Sequence, residues 1–358
     1  MKKLITGAIL LIGTTAMAQD VNTPPISISG YLETYYNYDF NRPVNNTTPP
    51  FLYNFNRANE VNLNLAYIKA AYSSDKVRAN FTFATGTYMN ANYSAEPGLL
   101  KNIYEGNIGV RLSSKNNLWI DAGVLPSHIG WESAVGKDNA TLSRSLAAEN
   151  SPYFETGARL SYTSKSEKWY LSALVLNGWQ RIQRVDGNTT PAFGTQVTFK
   201  PSSNVTLNSS TFIGNDKADS VKKMRYFHDF YGTVQLSNKW SAILGFDIGA
   251  EQKAKGSSDY NTWYTSALII KYAATAKTNI AVRAEYYDDK NGVIIASDTP
   301  NGFKTWGFSA NVDYKILNNL MWRAEIRSLN SKDDIFINNN NKSIGHDVAL
   351  TTSLAFSF

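Results

Sequence analysis

The stretch Trp240-Ser-Ala-Ile-Leu-Gly-Phe-Asp-Ile-Gly-Ala-Glu251 carries the pattern that decides the fold. Every second residue from Trp240 is apolar, and the residues between are polar or small, with Ile243 as the exception. Because successive side chains of a β-strand point to opposite sides, this stretch predicts a strand with one apolar and one mostly polar face. The same alternation recurs in the segments 118–124, 158–162, 280–286, 308–314 and 320–327.

The connections between these segments alternate in length. A soluble sandwich also alternates apolar and polar residues, but short turns on one side and long loops on the other are typical of an outer-membrane barrel. The sequence therefore predicts an all-β fold, an antiparallel transmembrane β-barrel of about sixteen strands, with fourteen or eighteen as alternatives. Its short turns would be periplasmic and its long loops extracellular. The short turns are predicted at 73–76, 113–117, 164–168, 201–204, 237–239, 274–279 and 317–319, and the long loops near 41–54, 89–101, 126–151, 179–191, 214–224, 252–260, 289–303 and 330–345.

Aromatic residues gather beside the short turns, and the chain ends on a strand. Amphipathic rings at headgroup level form girdles in such barrels. The last segment, 346–358, places alternate residues up to Phe358 on one face. Since an open sheet edge is not tolerated in lipid, we expect it to pair with the first strand, 26–38. The flanking aromatics are Tyr162, Phe199, Tyr272 and Tyr314 before short turns, and Trp169, Trp240 and Trp322 after them.

The N-terminus resembles a secretory signal peptide. Lys2 and Lys3 precede a short apolar stretch, and Ala16-Met17-Ala18 forms an A-x-A cleavage site. Residues 1–18 are thus predicted to be removed, leaving 19–358 as a single barrel domain in the cell outer membrane. Mean hydropathy is −0.31, and no later run of about 20 apolar residues exists, which argues against a helical membrane protein.

Composition narrows the partners. The precursor carries a net charge of +6, but its basic residues are scattered among acidic ones, so no nucleic-acid partner is expected. We expect contact with the lipid bilayer and lipopolysaccharide, and passage of small hydrophilic solutes. A homo-oligomer is a further expectation; that it is a trimer rests only on analogy with many porins.

No catalytic, cofactor or metal site is predicted. The chain has three histidines and no cysteine, and no Gly-x-Ser-x-Gly or His-Glu-x-x-His motif is present. The acidic pairs Asp288–Asp289 and Asp333–Asp334 fit solvated loop acids better than a divalent-cation site. The sequence therefore favours a non-enzymatic protein.

A sixteen-stranded barrel is too wide to fill with its own side chains and leaves an aqueous channel. Charged side chains that face lipid cost about 2–4 kcal/mol at mid-membrane, so we place those of the strands inside. They either form a salt-bridge lattice or create a transverse field across the pore, and their balance assigns no selectivity. The pore-lining candidates are Arg78, Glu105, Arg111, Asp121, Glu155, Arg159, Asp247, Lys271, Arg283, Glu285, Asp313, Arg323, Glu325 and Arg327.

The longest loop, 126–152, contains apolar anchors such as Ile129 and Leu142 among polar groups. A loop of this kind packs onto something, either the inner wall, where it would constrict the pore, or other loops, as an extracellular cap. Its segment 141–148 is predicted to form a short helix. The constriction candidates are His128, Trp131, Glu132, Lys137 and Arg144.

Two stretches resemble a known family. Gly123-Val-Leu-Pro-Ser-His-Ile-Gly-Trp-Glu132 and Ser145-Leu-Ala-Ala-Glu-Asn-Ser-Pro-Tyr-Phe-Glu155 are similar to the OmpL-like β-barrel porins. The resemblance implies an exported diffusion pore over the whole mature chain, with 127–152 as its pore-lining loop.

We therefore expect an outer-membrane porin for passive diffusion of small hydrophilic solutes or ions. One alternative is a non-conducting structural or assembly-partner barrel. Another is a substrate-specific channel with an aromatic track at Tyr31 and Tyr35.

Overall fold

A computed structural model describes residues 26–358, which form a closed antiparallel barrel of sixteen strands. The predicted signal peptide lies outside these residues. The barrel strands are β1 (Ile26–Asp39), β2 (Val61–Ser73), β3 (Val77–Thr85), β4 (Ile103–Arg111), β5 (Asn117–Pro126), β6 (Phe154–Thr163), β7 (Trp169–Leu176), β8 (Ala192–Ser202), β9 (Val205–Asn215), β10 (Met224–Gln235), β11 (Trp240–Gln252), β12 (Tyr260–Ala273), β13 (Thr278–Asp289), β14 (Phe303–Leu317), β15 (Leu320–Ser331) and β18 (His346–Ser357).

Short elements lie in the long loops. Strands β16 (Phe336–Ile337) and β17 (Ser343–Ile344) form a separate hairpin before β18. Helix α1 spans Thr87–Asn92 and α2 spans Leu146–Glu149, with 3₁₀ turns at Gly98–Asn102, Gly136–Asp138 and Asp219–Val221. Within 26–358, no helix has the length and apolar character needed to cross a membrane.

Each barrel strand pairs with its neighbours in sequence, and β1 closes on β18. Glu33 lies opposite Ala355, and Gly30 exchanges two backbone hydrogen bonds with Phe358, of 3.0 and 3.1 Å. The predicted seam between the first and last strands is therefore confirmed.

The strand count follows from the connections. Seven are short, at 74–76, 112–116, 164–168, 203–204, 236–239, 274–277 and 318–319, and eight are long. The alternation of short and long connections places the short turns at the end that holds Ile26 and Phe358. The sixteen-strand prediction is confirmed, and its alternatives of fourteen and eighteen are wrong.

The outward face is apolar, with aromatic pairs near the short turns. Trp169 stacks on Phe199 with ring centroids 4.1 Å apart, and Trp240 meets Tyr272 at 4.6 Å. These rings sit at the boundary where a headgroup layer would contact the barrel. The outward face is thus suited to lipid.

The packed core lies inside the barrel rather than between sheets. The long connections 40–60, 86–102 and 127–153 bring buried side chains to the inward face. Phe51 of the first packs edge-on against Phe303 of β14 at 4.7 Å, and Leu146 of the third joins the same cluster. The three loops therefore enter the lumen from its extracellular end and fill part of it.

Candidate pore and constriction loop

Strand pairing places all fourteen charged candidates on the inward-facing row. Residues opposite each other in an antiparallel pair share a face. Asp121 lies opposite Arg159, and Asp313 lies opposite Arg323. The remaining inward candidates are Arg78, Glu105, Arg111, Glu155, Asp247, Lys271, Arg283, Glu285, Glu325 and Arg327.

The central charges form a buried network. Arg283 contacts Glu285 and Glu325 at 3.2 Å each, and Arg327 contacts Glu285 at 2.7 Å. Removing two charges from water is costly unless further hydrogen bonds satisfy them. Here the loop 127–153, which we call the constriction loop, supplies those hydrogen bonds.

The constriction loop starts on the β5–β6 side of the lumen. His128 Nδ1 lies 2.6 Å from a carboxylate oxygen of Glu155, and Nε2 lies 2.8 Å from the carbonyl oxygen of Thr211. Both partners are acceptors, so an imidazolium that donates from both nitrogens satisfies them. His128 therefore connects the loop to β6 and β9 at once.

Trp131 extends the loop along the wall to β10 and β11. Its ring lies 5.9 Å from that of Tyr231 on β10 and rests on Gly245 of β11. A Cβ at Gly245 would collide with the Trp131 ring, so this close approach requires glycine. Gly245 thus provides the space into which the Trp131 ring packs.

The middle of the loop is held by backbone hydrogen bonds to the wall. The N–H of Leu142 donates to Asn311 Oδ1 at 3.0 Å, and the N–H of Leu146 donates to Glu285 Oε2 at 2.6 Å. The N–H of Ser143 donates to Glu325, and Arg323 donates to the Asn139 carbonyl at 3.1 Å. Strands β13–β15 therefore bind the loop through inward charged and amide side chains.

The other constriction candidates hold the loop's own shape or its far end. Arg144 is fully buried and donates to the carbonyls of Ser133 and Ala134 at 2.7 and 2.6 Å. Glu132 accepts a hydrogen bond from the N–H of Ser145 at 3.0 Å. Lys137 donates to Ser357 Oγ at 3.0 Å. The loop thus crosses the lumen from β5 to β18.

Neighbouring loops bind the end of the constriction loop that leads into β6. Glu149 accepts hydrogen bonds from the Tyr53 N–H at 2.8 Å and from Asn54 Nδ2 at 3.1 Å, both in loop 40–60. Tyr93 of loop 86–102 stacks on Phe154 at 3.9 Å. These contacts join the three loops into one packed unit.

Tyr31 and Tyr35 face inward but are buried by these loops. Tyr31 stacks with Tyr67 at 5.7 Å, and Tyr35 accepts a hydrogen bond from the Arg57 N–H at 3.0 Å. Each is 2% exposed, which leaves little ring surface for a solute. Their contacts are those of loop supports.

The short helix predicted at 141–148 is present but begins five residues later and is shorter. The observed helix α2 begins at Leu146, with Ser145 as its N-cap, whose hydroxyl accepts a hydrogen bond from the Ala148 N–H at 3.2 Å. The N–H groups of Leu142 and Ser143 donate to the wall instead of entering a helix. Tertiary contacts therefore override the local pattern.

Several inward charges were not among the candidates. Lys69 pairs with Glu105 at 2.6 Å, and Arg225 pairs with Glu251 at 2.7 Å. Lys315 lies opposite Met321 on the inward row. Lys315 follows Asp313 by two residues on β14 and so lies on the same face, which alternation alone could have shown. Arg225 begins a strand with aromatics on both faces, where alternation is weak.

Comparisons with solved structures show the same fold at low identity. The anion-selective porin of Comamonas acidovorans matches with 8% identity and a TM-score of 0.62, covering 93% of this chain and 99% of that one. The outer membrane channel DcaP of Acinetobacter baumannii matches with 12% identity and a TM-score of 0.59, covering 95% of this chain and 99% of that one. The trimer form of OmpT of Vibrio cholerae matches with 10% identity and a TM-score of 0.58, covering 94% of this chain and 100% of that one. No curated protein matches the chain.

A family model covers the barrel from end to end. It matches residues 25–358, which is nearly the whole chain beyond the predicted signal peptide. Its description is "Putative beta-barrel porin-2, OmpL-like". The protein therefore belongs to this OmpL-like porin family and is a porin-type barrel of the outer membrane.

Proposed function

We propose that this porin passes small hydrophilic solutes or ions by passive diffusion, through a lumen that the constriction loop narrows, and that it catalyses no reaction. One observation carries the proposal. A sixteen-stranded barrel with acidic and basic side chains on its inward face has a loop fixed across it by hydrogen bonds to at least five wall strands. A barrel of this width conducts water unless a loop narrows or closes it.

The charged network supports a fixed constriction rather than a mobile gate. Glu285 and Glu325 each bind a loop N–H and an arginine from the wall. Moving the loop would leave these buried carboxylates with fewer partners, which is costly. The pore size is therefore set by the folded loop.

Assembly and surroundings form a second part of the proposal. We infer that the outward apolar face contacts lipid, with lipopolysaccharide at the extracellular leaflet, and that copies of this chain associate. The trimer form of Vibrio cholerae OmpT supports association by analogy only. Native mass spectrometry of detergent-solubilised protein tests this, since a monomer alone would overturn it.

Planar-bilayer recording of the purified protein tests conduction. We expect discrete channels with small, steady conductance. Unheated protein should migrate faster on a denaturing gel than heated protein, which controls for folding. Folded protein that yields no channels would overturn the proposal and favour a structural role.

A further inference from the structure

Inward charges are unevenly distributed along the barrel axis. Within four residues of a periplasmic strand end, the inward row holds eight cations and two acids, a net charge of +6. The acids are Asp121 and Asp313. Four cations form ion pairs with inward acids, namely Lys69, Arg78, Arg159 and Arg323.

The other four cations have no such partner. Arg111, Lys200, Lys271 and Lys315 lie within 4 Å of no carboxylate among residues 26–358. Each is partly or fully exposed, so each meets water at the mouth of the lumen. We call these four residues the mouth cations.

The extracellular end carries the opposite sign. Within four residues of an extracellular strand end, the inward row holds seven acids and two cations, a net charge of −5. The acids are Asp39, Glu105, Glu155, Glu251, Glu285, Asp289 and Asp347; the cations are Arg225 and Arg327.

Several of these acids are already bound by loops. Asp289 accepts hydrogen bonds from the N–H groups of Val293, Ile294 and Ile295 at 2.7–2.9 Å. Glu155 binds His128, and Glu285 binds the Leu146 N–H. Charge at this end fixes structure, whereas the mouth cations face water.

We propose that the periplasmic mouth is an anion-attracting vestibule, so that the channel prefers small anions and conducts asymmetrically. The inference rests on the proposed function, because only a conducting barrel can select ions. Fixed charges act over a Debye length of about 10 Å at 0.1 M salt, so four cations around one mouth raise the local anion concentration. Rings of basic side chains are a known means of anion selection in pores.

The asymmetry has a definite polarity. When the extracellular side is positive, anions are driven from the vestibule into the narrowed lumen, which fills it with charge carriers. When the polarity is reversed, anions must enter from the extracellular end, where the net charge of the inward row is negative and the local anion concentration is not raised. The larger current is therefore expected with the extracellular side positive.

The test compares the wild type with a quadruple variant, Arg111→Gln, Lys200→Gln, Lys271→Gln and Lys315→Gln. A matched control removes four lysines from extracellular loops, Lys253→Gln, Lys290→Gln, Lys332→Gln and Lys342→Gln, all of which are exposed. Both must keep the heat-dependent gel mobility of a folded barrel. Because the chain has no cysteine, Ser241→Cys on the inward row near the mouth identifies the periplasmic side by one-sided thiol labelling.

Reversal potentials in a tenfold KCl gradient and current–voltage curves are then recorded. We expect an anion-to-cation permeability ratio above about 2 in the wild type and the control, and a ratio near 1 in the quadruple variant, with rectification lost. Channels that favour cations, or a quadruple variant identical to the wild type, would overturn the inference alone. Silent bilayers would overturn the porin function and the inference with it.

Discussion

The two ends of the lumen use charge in different ways. At the extracellular end and centre, carboxylates and guanidinium groups bind the constriction loop and one another; Arg283 and Glu285 are each 2% exposed. At the periplasmic end, Arg111 and Lys271 are partly exposed, and neither forms an ion pair with a carboxylate of residues 26–358. The difference teaches that inward charge is of two kinds, one that positions the loop and one that meets the solute.

The largest expected effect tests the first kind. Arg323 pairs with Asp313 at 2.6 Å and donates to the carbonyls of Gly136 and Asn139. Arg323→Met leaves a buried carboxylate without its ion-pair partner, so the free energy of unfolding should fall by about 3–5 kcal/mol. Urea titration in lipid vesicles, followed by tryptophan fluorescence, measures this.

The double variant Arg323→Met with Asp313→Leu is its control. Because the unpaired charge is then removed as well, part of the lost stability should return. If single and double variants both lie within about 0.5 kcal/mol of the wild type, Arg323 does not anchor the loop.

A smaller effect is expected from a substitution at Gly245, on which Trp131 packs. Gly245→Val would push its side chain into the indole ring, which should displace the tryptophan at a cost of about 1–3 kcal/mol and change the single-channel conductance. Gly232→Val is the matched control, since Gly232 faces outward and a Cβ there lies 3.2 Å from the end of the flexible Leu207 side chain. Equal conductance in both variants would show that Trp131 does not shape the pore.

The smallest effect is expected in an outer loop. Asp219 accepts hydrogen bonds from the Thr189 N–H and hydroxyl and from the Thr190 hydroxyl, which join loops 177–191 and 216–223. Asp219→Asn should increase the rate of trypsin cleavage after Arg181 or Arg184 about two- to threefold. Asp259→Asn, in another exposed loop, should not change this rate. An unchanged rate for Asp219→Asn would contradict the link.

The same contacts fix the pH range of that link. The Thr189 and Thr190 donors lower the pKa of Asp219 to about 2. A lowered carboxyl pKa stabilises the folded loop fully above the unfolded value near 4, and the stabilisation is lost as pH falls through about 2. Hydrogen exchange of loop 177–191, corrected for intrinsic rates, should be flat from pH 7 to 4 and rise below.

The barrel wall could be predicted from sequence because its determinant is local. Alternation in 240–251 fixes which side chains face lipid, and a one-residue slip would reverse every one of them. Turn spacing then gave the strand count, and the terminal Phe358 gave the seam. These predictions are confirmed.

The constriction loop could not be predicted in the same way. Its shape depends on partners far away in sequence, such as Glu325 for Ser143 and Gly245 for Trp131. Alternation located fourteen of the inward charges but not their pairing or their height along the axis. The division between loop-binding and solute-facing charge therefore became visible only in three dimensions.

The most direct test of the account is the single-channel conductance of a barrel that lacks 136–143. This segment crosses the lumen and is bound by Arg323, Asn311 and Glu325. If the loop narrows the pore, conductance should rise at least about twofold in a variant that keeps its heat-dependent gel mobility. A folded variant with unchanged conductance would contradict the claim that this loop sets the size of the pore.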